Sequence, residues 1–165
     1  MNNKIKVAAY ARVSTDMTDQ LHSLSAQIKY FTEYISNHEN YELIEVYYDE
    51  GITGTSVKKR DGFNRMIADC ENRKIDLILT KEVSRFARNT VDTLCFTRKL
   101  SALGIGVIFM NDGIDTRDKD GELRLTIVIS SYSNIKSSHN SINFICTIGG
   151  NILFPPILIM CYLGL

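Results

Sequence analysis

The sequence has no surplus of charge of either sign: Lys and Arg total 19 and Asp and Glu total 19, a formal net charge of zero. A dedicated DNA-binding module is usually basic, so composition supplies no electrostatic footprint for nucleic acid, although a local arginine cluster stays open. There is no CxxC pair. Cys70, Cys95, Cys146 and Cys161 stand far apart, which gives no sign of a zinc site or thiol-redox motif and leaves reduced thiols as the default. No GxGxxG and no GKS/T occurs, which argues against dinucleotide and P-loop binding. His22, His38 and His139 are scattered among polar residues and read as surface side chains without a metal role. Met1-Asn2-Asn3-Lys4 leads straight into an apolar strand, so no secretory signal is expected and the expected location is cytoplasmic. Acidic residues stop at Glu122, and Asn140 to Leu165 carries no formal charge.

What is present is enough for one domain: 165 residues, 44% of them hydrophobic. Lys4 to Ala11 reads as a strand buried on both faces. Asp16 to His22 reads as a mobile polar loop, then a helix from about Leu24 to Asn37 with Leu24, Ile28, Phe31 and Ile35 on one side. Tyr41 to Tyr48 is the second expected strand, and Asp49 to Lys59 a functional loop rich in glycine, threonine and lysine. Arg60-Asp61-Gly62 opens a helix to about Asn72, striped by Phe63, Met66, Ile67 and Cys70. Leu77 to Thr80 is the third strand, Thr90 to Leu103 a helix ended by Gly104, and Val107 to Met110 the fourth strand. Asn111-Asp112-Gly113 is a turn signal, and Asp120-Gly121-Glu122 starts a last helix. Strands alternating with helices predict an α/β fold with a mainly parallel sheet of four or five strands and helices on both faces.

Two stretches carry chemistry. In Tyr10-Ala11-Arg12-Val13-Ser14-Thr15, Arg12 and Ser14 fall on the same side of an extended strand, near the carboxyl end where open α/β sheets bind ligands. A hydroxyl beside a guanidinium suits phosphate chemistry; the stretch alone also fits a strand-to-helix turn with Ser14 as a cap. In Val83-Ser84-Arg85-Phe86-Ala87-Arg88-Asn89, just past the third strand, Arg85 and Arg88 share a face if a helical turn starts there. Two guanidiniums on one face suit the oxygens of a single phosphate, and a solvated basic turn is the plainer alternative.

Together these stretches resemble the catalytic domain of the serine recombinases, the resolvase/invertase family. Asp49-Glu50-Gly51-Ile52-Thr53-Gly54-Thr55 and Arg60-Asp61-Gly62-Phe63 look like its large serine recombinase branch. The resemblance runs from about Lys4 to about Ile129 and implies a three-layer resolvase-like fold. It implies that Ser14 attacks a DNA phosphodiester and becomes joined to a 5′ phosphate. Strand exchange and religation then follow without metal, nucleotide or other cofactor. It assigns Arg12, Arg85 and Arg88 to the phosphate, and Tyr10, Gln27, Asp49 and Arg60 to supporting the site or the DNA phosphates. Taken singly, Gln27 fits a solvated helix residue, Asp49 a strand-end turn former and Tyr10 simple packing. Lys58-Lys59-Arg60 fits a solvated loop. Many small resolvases carry an aspartate where this chain has Ser84, so a carboxylate role at that position is lost. The implied partners are DNA sites and, in intact members, further copies as dimers and tetramers.

The resemblance gives a catalytic domain over residues 1–129 and an aberrant hydrophobic tail over 130–165. Family members continue the last helix as a charged dimerisation helix, with a glutamate about where Ile135 stands, and then a DNA-binding region. Here Ile142 to Leu165 is long and apolar enough for a membrane span, yet Gly149-Gly150 and Pro155-Pro156 interrupt it. A truncated chain, read out of frame or cut by an insertion, is therefore expected rather than an anchor. The alternatives are an inactive fragment that pairs with full-length recombinases, and a small phosphate-binding α/β module.

Overall fold

The structure is a computed structural model that describes residues 4–13, 19–50, 60–87 and 90–136. Among the described residues five strands form one sheet: β1 (Ile5–Val13), β2 (Tyr41–Glu50), β3 (Leu77–Thr80), β4 (Gly106–Phe109) and β5 (Ile114–Asp115), in the order β2-β1-β3-β4-β5. The first three neighbour pairs are parallel, and β4–β5 is antiparallel. Among the described residues the helices are α1 (Asp19–Ser36), α2 (Asp61–Glu71), α3 (Val83–Phe86), α4 (Thr90–Ala102) and α5 (Gly121–Lys136). The predicted sheet, its mainly parallel sense and the helices on both faces are what the structure shows.

Alternation along β1 divides the core. Val7, Ala9 and Ala11 pack with Phe31 and Ile35 of α1, while Ala8 and Tyr10 pack with α2, α4 and α5. Ala8 and Ala9 are fully buried, so the small side chains let helices approach both faces of the central strand closely. On the second face an aromatic cluster fills the space: Tyr10, Phe63, Phe86, Phe96 and Phe109 meet edge-to-face, with neighbouring centroids 4.9 to 6.4 Å apart. Tyr10 and Phe86 lie in this cluster and next to the residues of the site, so the core braces the rim directly.

One irregularity aims the site. The β1–β2 register runs Val7↔Leu43 and then Ala8↔Glu45, leaving Ile44 unpaired as a β-bulge. Side chains alternate with a period of two, so one extra residue exchanges the faces of everything after it. Tyr41 and Leu43 pack on the α1 side; Tyr47 lies on the α2 side, bonded through its hydroxyl to Asp69 of α2 at 2.7 Å. Asp49, two residues on, reaches Tyr10 and the start of α2. Without the bulge Asp49 would point to the other face.

The helix α1 starts at Asp19, so the part of the expected Asp16–His22 loop from Asp19 onward is helical. An acidic residue in a first turn favours a helix start, and Leu21 extends the Leu24, Ile28 spacing backwards by one turn. The helical turn weighed at Val83-Ser84-Arg85-Phe86 is present as α3, and the strand β5 follows the Asn111-Asp112-Gly113 turn signal. Cys70 is a free buried thiol. No helix among the described residues is long and apolar enough to cross a membrane. Most of the tail, including Ile142 to Leu165, lies outside the described residues, as does the 51–59 stretch.

Candidate functional site

The chain runs β1, then β2 on one side of it, then β3 on the other. The sheet order therefore reverses at β1, and the carboxyl ends of β1 and β3 form the crevice in which such sheets bind ligands. The register sets Tyr10 beside both Thr80 of β3 and Tyr47 of β2, and Arg12 beside Asp49. Tyr10 and Arg12, two apart on β1, point to the same side, toward α2 and α3.

A buried network supports this rim. The Tyr10 hydroxyl donates to Asp49 Oδ2 at 2.9 Å and accepts from Arg60 Nη2 at 2.8 Å. Arg60 Nη2 also donates to the Phe86 carbonyl of α3, and its guanidinium lies over the Phe63 ring, 4.0 Å from the centroid. Asp49 Oδ1 accepts from the Gly62 N–H at 2.8 Å and Oδ2 from the Phe63 N–H at 3.0 Å. Asp49 thus caps α2 from a neighbouring strand, since Arg60 at the N-cap makes no side-chain cap bond itself. The Arg60 and Asp49 side chains are only 13% and 10% exposed, with Nε and Oδ2 4.0 Å apart. Gly62 is required by this closeness: a Cβ there would sit 2.2 Å from the Tyr48 carbonyl oxygen.

Arg12 and Arg85 stand differently. Arg12 is half-buried; its Nη2 lies 3.5 Å from the Ser84 carbonyl oxygen, and its buried Nε has no hydrogen-bond partner among the described residues. Burial, then the charges of Arg85 and Arg60, push its pKa below the ordinary value; a guanidinium nonetheless stays charged. Arg85 is exposed on α3. Arg12 and Arg85 thus set two positive charges at the rim, an arrangement suited to an anion. Among the described residues no three His, Cys, Asp or Glu side chains gather as metal ligands would.

Of the residues expected at the site, the structure brings together Tyr10, Arg12, Asp49, Arg60 and Arg85. Gln27 is half-buried on α1. Ser14 and Arg88 lie outside the described residues. Arg60 spends its bonds on Tyr10 and Phe86, so it ties β1 and α3 together. Not foreseen were the Ser84 and Phe86 carbonyls as acceptors for Arg12 and Arg60; backbone acceptors leave no mark in a sequence. Ser84, where a carboxylate was thought lost, gives its hydroxyl to Glu82 Oε2 at 3.1 Å, so a carboxylate stands close by after all.

The hydroxyls beneath the rim give the domain a limit at high pH. Burial foremost pushes Tyr10 up to about 12 from 10.0, and burial with the bond to Asp69 raises Tyr47 further. A folded-state pKa above the unfolded one favours the neutral form, so this stability is intact below pH 10.0 and is lost as pH rises toward about 12. Denaturation midpoints should therefore fall steeply over that interval. Tyr10→Phe should lower the midpoint at neutral pH and flatten the alkaline fall; an unchanged slope would contradict it.

Comparisons with known proteins bear on the family and the fold. Residues 7–141 match the family described as Resolvase, N terminal domain. A resolvase/recombinase of Pseudomonas putida is 28% identical over 124 residues, 75% of this chain and 61% of that one. The transposon Tn3 resolvase of Escherichia coli is also 28% identical over 124 residues, 75% of this chain and 60% of that one. The chain thus spans about three fifths of the length of the curated relatives it matches. Among solved structures, a resolvase family site-specific recombinase from Streptococcus pneumoniae superposes with a TM-score of 0.64 at 35% identity, over 81% of this chain and 91% of that one. The N-terminal catalytic domain of TP901-1 integrase superposes with a TM-score of 0.60 at 30% identity, over 79% of this chain and 95% of that one.

Proposed function

Because the chain belongs to the resolvase family of serine site-specific recombinases through its N-terminal domain, we propose that it is a catalytic domain that cleaves and rejoins DNA through a phosphoserine. Ser14, which follows directly on the last residue of β1, supplies the nucleophilic oxygen. Its Oγ attacks the phosphorus, the bond to the 3′ oxygen breaks, and the 3′ oxygen leaves with a proton. The product is an ester between Ser14 and the 5′ phosphate; attack by a 3′ hydroxyl reverses it and conserves the bond energy. Arg12, Arg85 and Arg88 stabilise the negative charge that grows on the non-bridging oxygens. Tyr10, Asp49 and Arg60 hold the rim that carries Arg12, and Gln27 supports it from α1. DNA is the substrate, and further copies of the chain are the partners that bring two cleaved sites together.

The observation that carries this reading is Arg12 at the crevice, its Nη2 3.5 Å from the carbonyl oxygen of Ser84, the residue next to Arg85. Two positive charges there are unfavourable by themselves and are relieved by an anion between the two. The test is the rate at which residues 1–129, joined to a family dimerisation helix and DNA-binding region, form a covalent adduct on DNA carrying the recombination site of the encoding element, read on a denaturing gel. Arg85→Ala should slow it at least ~100-fold, as loss of a transition-state charge partner does. A rate within about twofold of the unaltered chain, well inside that expectation, would contradict a phosphate at Arg85.

A further inference from the structure

The helix α3 carries Arg85 and also the two carbonyls that receive Arg12 and Arg60, yet it is only four residues long. Such a helix has no cooperative stability of its own and stands where its surroundings put it. Buried Val83 and Phe86 anchor one side. The other hold comes from the turn between β4 and β5. Asp112 Oδ2 accepts from the Val83 N–H at 2.7 Å, which caps the first turn. Glu82 at the N-cap makes no side-chain cap bond; it takes Asn111 Nδ2 at 3.2 Å through Oε1 and the Ser84 hydroxyl at 3.1 Å through Oε2. The turn is itself fixed to the end of β3, through Met110 N–H to the Thr80 carbonyl at 2.9 Å and Asn111 N–H to the Lys81 carbonyl at 2.8 Å. Gly113, at φ +62°, allows the chain to reverse there.

We propose that Asp112 and Asn111 are positioning residues for the arginine pair: their clamp on α3 sets where Arg85 stands and where the Ser84 carbonyl meets Arg12. The proposal rests on the reading of that pair as a phosphate site. Asp112 acts through an acceptor oxygen, not through its charge, so asparagine can replace it and alanine cannot.

The experiment uses the full chain, labelled with ¹⁵N. It follows the backbone amides of Ser84, Arg85 and Phe86 and the Nε–H signals of Arg12 and Arg60, without and with inorganic phosphate. Asp112→Ala should shift the α3 amides and the Arg12 signal. It should weaken the phosphate response of Arg12 and Arg85 at least about fivefold, the ratio that loss of one cap typically moves. Asp112→Asn should stay within about twofold of the unaltered chain, since asparagine caps comparably. Unmoved α3 amides in Asp112→Ala would overturn the clamp, and so would an Asp112→Asn that behaves like Asp112→Ala. If Asp112→Ala does not fold, Asn111→Ala removes an exposed side chain from the other arm; unshifted Ser84 and Arg85 amides there would also overturn it. Shifts in α3 with no phosphate response in the unaltered chain would support the clamp and refute the phosphate site.

Discussion

Ser14→Ala is expected to abolish the covalent protein–DNA adduct while leaving the fold intact. The described hydroxyls near the rim are engaged or buried, and Ser84 gives its own to Glu82 Oε2 at 3.1 Å. The Tyr10 hydroxyl is bonded to both Asp49 and Arg60, its pKa is pushed up to about 12, and Thr80 is 1% exposed. Removing a covalent nucleophile leaves only the positioning and charge stabilisation of the remaining groups, which cannot form the ester. Replacing Ser14 is expected to change the unfolding free energy by no more than about 0.5 kcal/mol. An adduct of undiminished yield in Ser14→Ala would remove the nucleophile from the account.

Asp49→Ala should have the largest effect on stability, a loss of about 3 to 5 kcal/mol in urea denaturation. One carboxylate serves four groups here: the Gly62 and Phe63 N–H groups of α2, the Tyr10 hydroxyl, and the Arg60 guanidinium. Alanine leaves two orphaned helix donors and a nearly buried guanidinium with no counter-charge. Asp49→Asn keeps an acceptor for the helix and should lose less. The same substitution should also slow adduct formation, since Arg12 lies across from Asp49 in the register. A midpoint shift below about 1 kcal/mol, the worth of one cap alone, would mean that the network does not brace the rim.

The parts legible in the sequence were those that rest on local pattern. Val7-Ala8-Ala9 announced a strand buried on both faces, and Phe63, Met66, Ile67 and Cys70 announced the buried side of α2; all are buried. The pairing of Arg12 with Arg85 followed from two motifs that each end a strand, because β1 and β3 are neighbours. What stayed hidden depends on relations between distant segments. The bulge at Ile44 lies in Leu43-Ile44-Glu45-Val46, a run whose pattern does not say where one residue slips out of register. Asp49 read as a turn former because its work as a helix cap needs α2 beside β2. Asp112 read as turn chemistry because its acceptor role needs α3 beside β4.

The most direct test of the account is the identity of the residue that holds the DNA. The adduct formed on a DNA substrate nicked to prevent religation is digested with protease and nuclease, and the modified peptide is sequenced by mass spectrometry. The account predicts a nucleotide joined through its 5′ phosphate to Ser14 and to no other residue. A linkage to Tyr10, to another serine or threonine, or to a 3′ phosphate would contradict it.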